Sequence, residues 1–134
     1  MSHALVFDLL YEYDTTTTGI TIPVVLSFAQ EQNKTLANLD TGATFCIFKR
    51  DEGEALGLDI EKGYRQIIRT ATEPFVAYGH YVSLFALNLQ LDVMVYFAAR
   101  YGLPRNVLGR RGWLDQIRLG LIEYEGKLYV GKYD

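Results

Sequence analysis

The chain has 134 residues, of which 49% are hydrophobic and 22% are charged, a composition that fits one folded domain and excludes an intrinsically disordered chain. Its formal net charge of −3 gives no basic surface for nucleic acid, and no apolar run approaches the length of a membrane span. The 10 Tyr and 7 Phe residues, together with many β-branched residues, favour strands.

Cys46 is the single cysteine, so no disulfide can form within the chain and a reducing compartment is the simplest location. Residues 1–11 include apolar side chains, but no basic segment precedes them and Asp8 interrupts them. They do not have the form of a secretory signal. We therefore expect a cytoplasmic protein that associates with neither membrane nor nucleic acid.

Short strand patterns follow one another along most of the chain. They predict strands over residues 4–13, 20–29, 35–40, 44–49, 64–70, 74–87, 88–97, 119–124 and 127–133. Turn chemistry predicts a loop over residues 14–19, a hairpin turn over residues 30–34 and a last turn at residues 125–126. Residues 51–58 and 110–117 predict short helices. With no repeat or linker, this pattern indicates one all-β barrel or sandwich with one or two short helices.

The stretch of residues 39–44 (LDTGAT) carries the main chemical signal. Asp-Thr-Gly alone is good turn chemistry and arises by chance in about 3 of 100 chains of this length. Here an apolar strand leads directly into Asp40, and another leaves from Phe45. This context predicts a carboxylate on a tight loop between two core strands, where Gly42 lets the backbone approach closely and donate a hydrogen bond.

Three features, in this order, resemble the retropepsin family of single-domain aspartic proteases, the bacterial members more than the viral ones. Residues 40–43 (DTGA) match the catalytic loop, the hairpin centred on residues 71–73 sits where the family carries its flap, and residues 107–110 (VLGR) match the element that supports the active-site loop. The resemblance covers about residues 20–124. It implies a closed β-barrel protomer in a C2 homodimer. Residues 1–134 would form one domain, in which residues 1–19 are an extension that could build or cap the interface.

The resemblance implies an aspartic endopeptidase that hydrolyses peptide bonds through a water activated by paired Asp40 residues, one from each copy. Like charges at close range cannot both ionise, so one carboxyl keeps a proton while the other accepts one from water. By resemblance, Thr41 grips the loop of the symmetry mate and the Gly42 amide holds the carboxylates coplanar. No metal and no cofactor is expected.

The resemblance also implies how a peptide or protein substrate binds. Ala43 would line the floor beneath an extended peptide, and Ala71, Thr72 and Glu73 at the flap tip would close over it. The sequence departs from the viral pattern in two places. Thr44 replaces the acidic residue that pairs with the arginine of the supporting element, and the flap tip lacks glycines.

A second interpretation stays open, because a fold does not fix a function. The same fold could serve as a catalytically silent dimerisation or peptide-binding module, although the intact Asp-Thr-Gly favours the protease. His3 and His80 occur in different contexts and give no zinc-site spacing with Cys46. Cys46 lies among apolar residues and is expected in the core.

Overall fold

The computed structural model describes residues 1–133, which form ten strands and one short α-helix. The strands are β1 Leu9–Glu12, β2 Ile20–Phe28, β3 Glu31–Leu39, β4 Ile47–Phe48, β5 Tyr64–Ile68, β6 Phe75–Ala86, β7 Leu89–Ala98, β8 Val107–Leu108, β9 Ile117–Ile122 and β10 Lys127–Lys132. The helix α1 spans Arg50–Glu54, and 3-10 turns cover Ile60–Lys62, Leu114–Gln116 and Glu123–Glu125. The predicted all-β class with few helices is confirmed.

The strands are arranged in two sheets. Seven strands form one sheet in the order β2-β3-β8-β4-β7-β6-β5, and β1, β10 and β9 form a second sheet with β10 in the middle. In addition, β2 pairs with β6 through Val25↔Phe85, Leu26↔Leu84 and Ser27↔Ser83. Residues 1–19, interpreted from the sequence as an extension, therefore contain a strand in which Leu9 pairs with Val130.

The side chains that alternate along the strands build the core. In β2, for example, Ile22, Val24 and Leu26 are all buried, with intermediate or exposed residues between them. Burying each aliphatic side chain of this size contributes about 1.5–3 kcal/mol relative to leaving it exposed. The larger core cluster also contains Trp113, which has 0% exposure. A smaller cluster lies apart from it and consists of Ile47, Ile68, Ala77 and Tyr96.

The structure contradicts the helix predicted over residues 110–117. Only Leu114–Gln116 coils, in one 3-10 turn. The N–H of Arg110 donates to the carbonyl of Ala43 at 2.9 Å, and that of Arg111 to Thr44 at 2.8 Å. Since these two amides are bonded to the loop that follows β3, residues 110–111 cannot begin a helix, and residues 112–113 form a turn that leads into the 3-10 turn.

The predicted hairpin between β2 and β3 forms, but its turn is shorter and lies earlier than the predicted residues 30–34. The register pairs Phe28 with Glu31, so the turn consists of Ala29 and Gln30 alone. Ala29 has φ 53°, a left-handed conformation that few residues other than glycine adopt. The other predicted elements have different bounds, most visibly the helix expected over residues 51–58, which is the five-residue α1.

Candidate active site

Asp40 is the first residue after β3, and its position is set by the neighbouring strand. β3 and β8 pair in parallel through Leu39↔Leu108, and the N–H of Asp40 donates to the carbonyl of Leu108 at 3.0 Å. Because β3 lies between β2 and β8, the chain reaches Asp40 from an inner strand of the larger sheet. The Asp40 backbone is therefore fixed although the residue itself is exposed.

The loop that begins at Asp40 orients the carboxylate by its own backbone. The N–H of Gly42 donates to Oδ1 of Asp40 at 2.9 Å, and the N–H of Ala43 donates to the Asp40 carbonyl at 3.2 Å. Asp40, Thr41 and Gly42 are all exposed. The carboxylate is therefore held at one oxygen while it faces solvent, a geometry that suits transfer of a proton to or from a bound water.

The segment after β8 braces the other side of this loop. A Cβ added at Gly109 would overlap the carbonyl oxygen of Phe45 and lie 2.8 Å from that of Ala43, so only glycine lets the two segments come this close. The Gly109 N–H points to Sγ of Cys46 at 3.4 Å, and Phe45 and Arg111 form a parallel bridge. The predicted role of residues 107–110 beside the Asp40 loop agrees with these contacts.

The sequence left Arg110 without an assigned partner. Within the described residues 1–133, its side chain forms no ion pair, and Thr44 receives a backbone hydrogen bond from Arg111. Main-chain hydrogen bonds between residues 43–44 and 110–111 therefore connect the segment after β8 to the Asp40 loop.

A cleft of about 730 Å³ opens beside Asp40. Asp40, Gly42 and Ala43 line it from the loop, and Ala71 lines it from the hairpin between β5 and β6. Its apolar lining includes Phe45, Ile47, Ile68 and Phe75, side chains that belong to the smaller hydrophobic cluster or pack on it. The structure therefore brings four of the predicted site residues to one cleft.

The other predicted site residues lie elsewhere in this structure. Thr41 is on the loop but is not part of the cleft lining. Thr72 and Glu73 line an adjoining cleft of about 650 Å³. Their role in covering a peptide stays a prediction.

The tip of the β5–β6 hairpin is held by Thr70. Its hydroxyl accepts a hydrogen bond from the Thr72 N–H at 3.1 Å and donates one to the Glu73 carbonyl at 3.0 Å. Such side-chain-to-backbone bonds stabilise a tight turn without glycine. They explain how a tip of Thr72, Glu73 and Pro74 can still form a compact turn.

Sequence reasoning missed Asn106, a residue that connects the segment before β8 to β3 and α1. This residue has 3% exposure. Its Oδ1 accepts from the Lys49 N–H at 2.8 Å, and its Nδ2 donates to the Leu36 carbonyl at 2.9 Å and to Oε2 of Glu52 at 2.6 Å. Thr35 also bonds Oε2 of Glu52. No local pattern marks Asn106, because each of these partners lies far from it in the sequence.

Neither Cys46 nor His80 has the surroundings of a catalytic group. Cys46 has 0% exposure, which confirms the predicted core position, and burial raises the pKa of its thiol to about 12. His80 contacts the Ile60 carbonyl through Nε2 at 2.9 Å. Within residues 1–133, no three His, Cys, Asp or Glu side chains are grouped to hold a metal ion. No helix in this part of the chain is long and apolar enough to cross a membrane.

Comparisons with known proteins agree with this geometry. The family model described as aspartyl protease matches residues 24–111, a range that includes the Asp40 loop, the β5–β6 hairpin and Gly109. A solved structure with a similar fold is a retropepsin-like aspartic protease from Rickettsia conorii, with a TM-score of 0.64 and 15% sequence identity. That match covers 91% of this chain and 96% of the other. No curated protein matches the sequence.

Proposed function

We infer that this chain, which belongs to the aspartyl protease family and is retropepsin-like in fold, is an endopeptidase that hydrolyses peptide bonds with a water activated by two Asp40 side chains of a homodimer. The observation that carries the proposal is the Asp40 carboxylate itself. It is exposed, fixed at one oxygen by the Gly42 amide at 2.9 Å, and faces a cleft large enough for several peptide residues.

A second copy of the chain supplies the second carboxylate in this proposal. The sequence contains Asp-Thr-Gly once, whereas the reaction needs two facing carboxyl groups that share a proton. A C2 axis that passes beside the exposed loop brings the two Asp40 residues together and lets each Thr41 hydroxyl reach the partner's loop. The pairing of β2 with β6 supports the closed barrel, and residues 1–19 are available to build or cap the interface.

The chemistry follows from the shared proton. The ionised Asp40 accepts a proton from the bound water as the water oxygen attacks the carbonyl carbon of the peptide, and the protonated Asp40 donates to the carbonyl oxygen. The tetrahedral intermediate then collapses, the C–N bond breaks, and a proton passes to the leaving nitrogen. The Gly42 amide keeps the carboxylate in place throughout.

The substrate is an extended peptide that enters the cleft as an added strand. Ala43 forms part of the floor, and apolar side chains near the cleaved bond would pack on Phe45, Ile47 and Phe75. Closing of the hairpin would bring Ala71, Thr72 and Glu73 over the peptide and exclude water other than the attacking one.

The experiment is cleavage of a mixed peptide library from acidic to neutral pH, at several protein concentrations. We expect the wild type to cleave, Asp40→Asn to be inactive, and Asp92→Asn, which alters an exposed aspartate outside the cleft, to match the wild type. Cleavage that persists in Asp40→Asn would contradict the proposal. So would the absence of cleavage at any pH by a protein shown to be dimeric, a result that would favour the silent peptide-binding module.

A further inference from the structure

The Asp40 cleft has an unusual balance of charge. Its lining contains two arginines, Arg69 and Arg105, and Asp40 is its one acidic residue. All other residues that line the cleft are neutral. The chain as a whole has 16 acidic and 13 basic residues, so the net charge of the cleft lining is opposite in sign to that of the chain.

The two arginines are free to bind a ligand. Both are exposed, and within residues 1–133 neither forms an ion pair. They come from different walls of the cleft, since Arg69 follows β5 in the hairpin and Arg105 lies in the segment that leads to β8. A peptide in the cleft would therefore pass between them, and each could contact a different part of it.

We propose that this cleft selects peptides with Asp or Glu side chains on either side of an apolar centre, and that Arg69 and Arg105 bind those carboxylates. The inference rests on the proposed function, because it takes a peptide as the occupant of the Asp40 cleft. A guanidinium group binds a carboxylate through two parallel hydrogen bonds and stays charged at every relevant pH. The apolar surface formed by Phe45, Ile47 and Phe75 lies in the same cleft and takes the central side chains.

The proposed dimer strengthens this preference. The paired Asp40 carboxyls share a proton and carry one negative charge between them, whereas each protomer contributes two arginines. The combined cleft is thus positive even with the catalytic charge included. A cleft in which charge of one sign predominates attracts ligands of the opposite sign, and its low-dielectric walls strengthen this attraction.

Two fluorescein-labelled peptides test the proposal. They share an apolar centre and differ only in their flanking residues, which are glutamates in one and glutamines in the other. Binding is measured by fluorescence anisotropy on the full-length Asp40→Asn chain, which leaves the peptides intact, and cleavage is measured with the wild type. We expect the glutamate peptide to bind about tenfold more tightly at low salt and the difference to shrink as salt is added.

Arginine variants assign this preference to the cleft. In the Asp40→Asn background, Arg69→Gln combined with Arg105→Gln should abolish the discrimination. Arg65→Gln should keep it, because Arg65 is exposed on the neighbouring part of β5 but does not line the cleft. Equal binding of the two peptides would overturn the inference. An equal loss of discrimination in Arg65→Gln would overturn it too, since the preference would then come from general surface charge.

The two readouts separate this inference from the proposed function. If the glutamate peptide binds more tightly but the wild type, shown to be dimeric, cleaves neither these peptides nor the mixed library, the protease proposal fails and the preference for acidic peptides stands. If the wild type cleaves both peptides at the same rate, and they bind equally, the protease proposal stands and the preference is wrong.

Discussion

Asn106 and Glu52 are joined by a hydrogen bond of 2.6 Å from Nδ2 of the amide to Oε2 of the carboxylate. This bond ties helix α1 to the segment that enters β8. The backbone carbonyl of Asn106 also accepts from the Asn38 N–H at 2.8 Å. Two residues later, Leu108 receives the hydrogen bond from Asp40, so Asn106 positions the strand that fixes the site.

Replacement of Asn106 should destabilise the protomer strongly. Asn106→Ala would leave the Lys49 N–H and the Leu36 carbonyl without the partners they have now, and we expect a loss of about 3 kcal/mol. Urea unfolding followed by the fluorescence of the buried single tryptophan, Trp113, gives this value. Gln32→Ala, at an exposed position of β3, serves as the control and should change stability by less than about 0.5 kcal/mol. Equal effects of the two substitutions would contradict the role assigned to Asn106.

Gly109→Ala should disturb the site through overlap with the Asp40 loop. The new methyl group would collide with the carbonyls of Phe45 and Ala43, and we expect a loss of about 2–3 kcal/mol in unfolding free energy together with reduced cleavage. Gly57→Ala is the matched comparison. Gly57 has φ +77°, and a Cβ added there would have no atom within 4 Å. The substitution should therefore lower the unfolding free energy by about 1 kcal/mol through backbone strain alone. If Gly57→Ala proved the more harmful, the close approach at Gly109 would not be what constrains the loop.

Cys46 should make the protein less stable at alkaline pH. Burial raises the pKa of this thiol from 9.0 to about 12. Below pH 9 the thiol is protonated in both states, whereas between 9 and 12 only the unfolded chain loses the proton, so stability falls as pH rises. At pH 10 the Cys46 thiol therefore lowers the unfolding free energy by about 1.4 kcal/mol.

Urea unfolding of the wild type and of Cys46→Ala at pH 8 and pH 10 tests whether Cys46 causes this loss of stability. The alanine variant will be less stable at both pH values, since it removes a buried side chain. The measured quantity is instead the decrease in unfolding free energy from pH 8 to pH 10. This decrease should be smaller by about 1.4 kcal/mol in the variant. The same difference in both proteins would show that the thiol ionises as readily in the folded chain as in the unfolded one.

The parts of the site that were predictable from the sequence are those encoded by adjacent residues. Asp40, Thr41 and Gly42 form a loop because of their own turn chemistry, and the apolar residues beside them form strands. The β5–β6 hairpin could be placed because strand patterns flank its tip. The position of Asp40 beside Leu108 was implied only by the resemblance, since the two residues lie far apart in the sequence and their pairing depends on sheet order.

The errors have the same origin in long-range contacts. Residues 110–117 have a local pattern compatible with a helix, but the amides of Arg110 and Arg111 bond to residues 43–44. The turn at Ala29 depends on a left-handed backbone conformation that alanine does not favour, so residue type gave no sign of it. Asn106 was missed because a buried asparagine is recognisable only from its partners.

Thr41→Val should weaken the dimer and leave the protomer intact. Thr41 is exposed, and within residues 1–133 its hydroxyl makes no hydrogen bond, so the isolated fold has little to lose. The proposed contacts with the partner's loop would disappear from both copies, and we expect the dimer dissociation constant to rise about tenfold or more. Analytical ultracentrifugation measures it, with Thr18→Val in an exposed loop as the control. An unchanged dissociation constant would show that Thr41 does not hold the partner's loop.

The most direct test of the paired Asp40 site is subunit mixing. Wild-type chain at a fixed amount is mixed with an equal amount of Asp40→Asn chain, at concentrations where all chains are dimeric and after time for exchange. If each site needs an Asp40 from both copies, random pairing places half of the wild-type chains in inactive dimers, and cleavage falls to about half. Cleavage that stays at the level of the wild type alone would mean that one chain carries the whole site, and the shared Asp40 pair would be wrong.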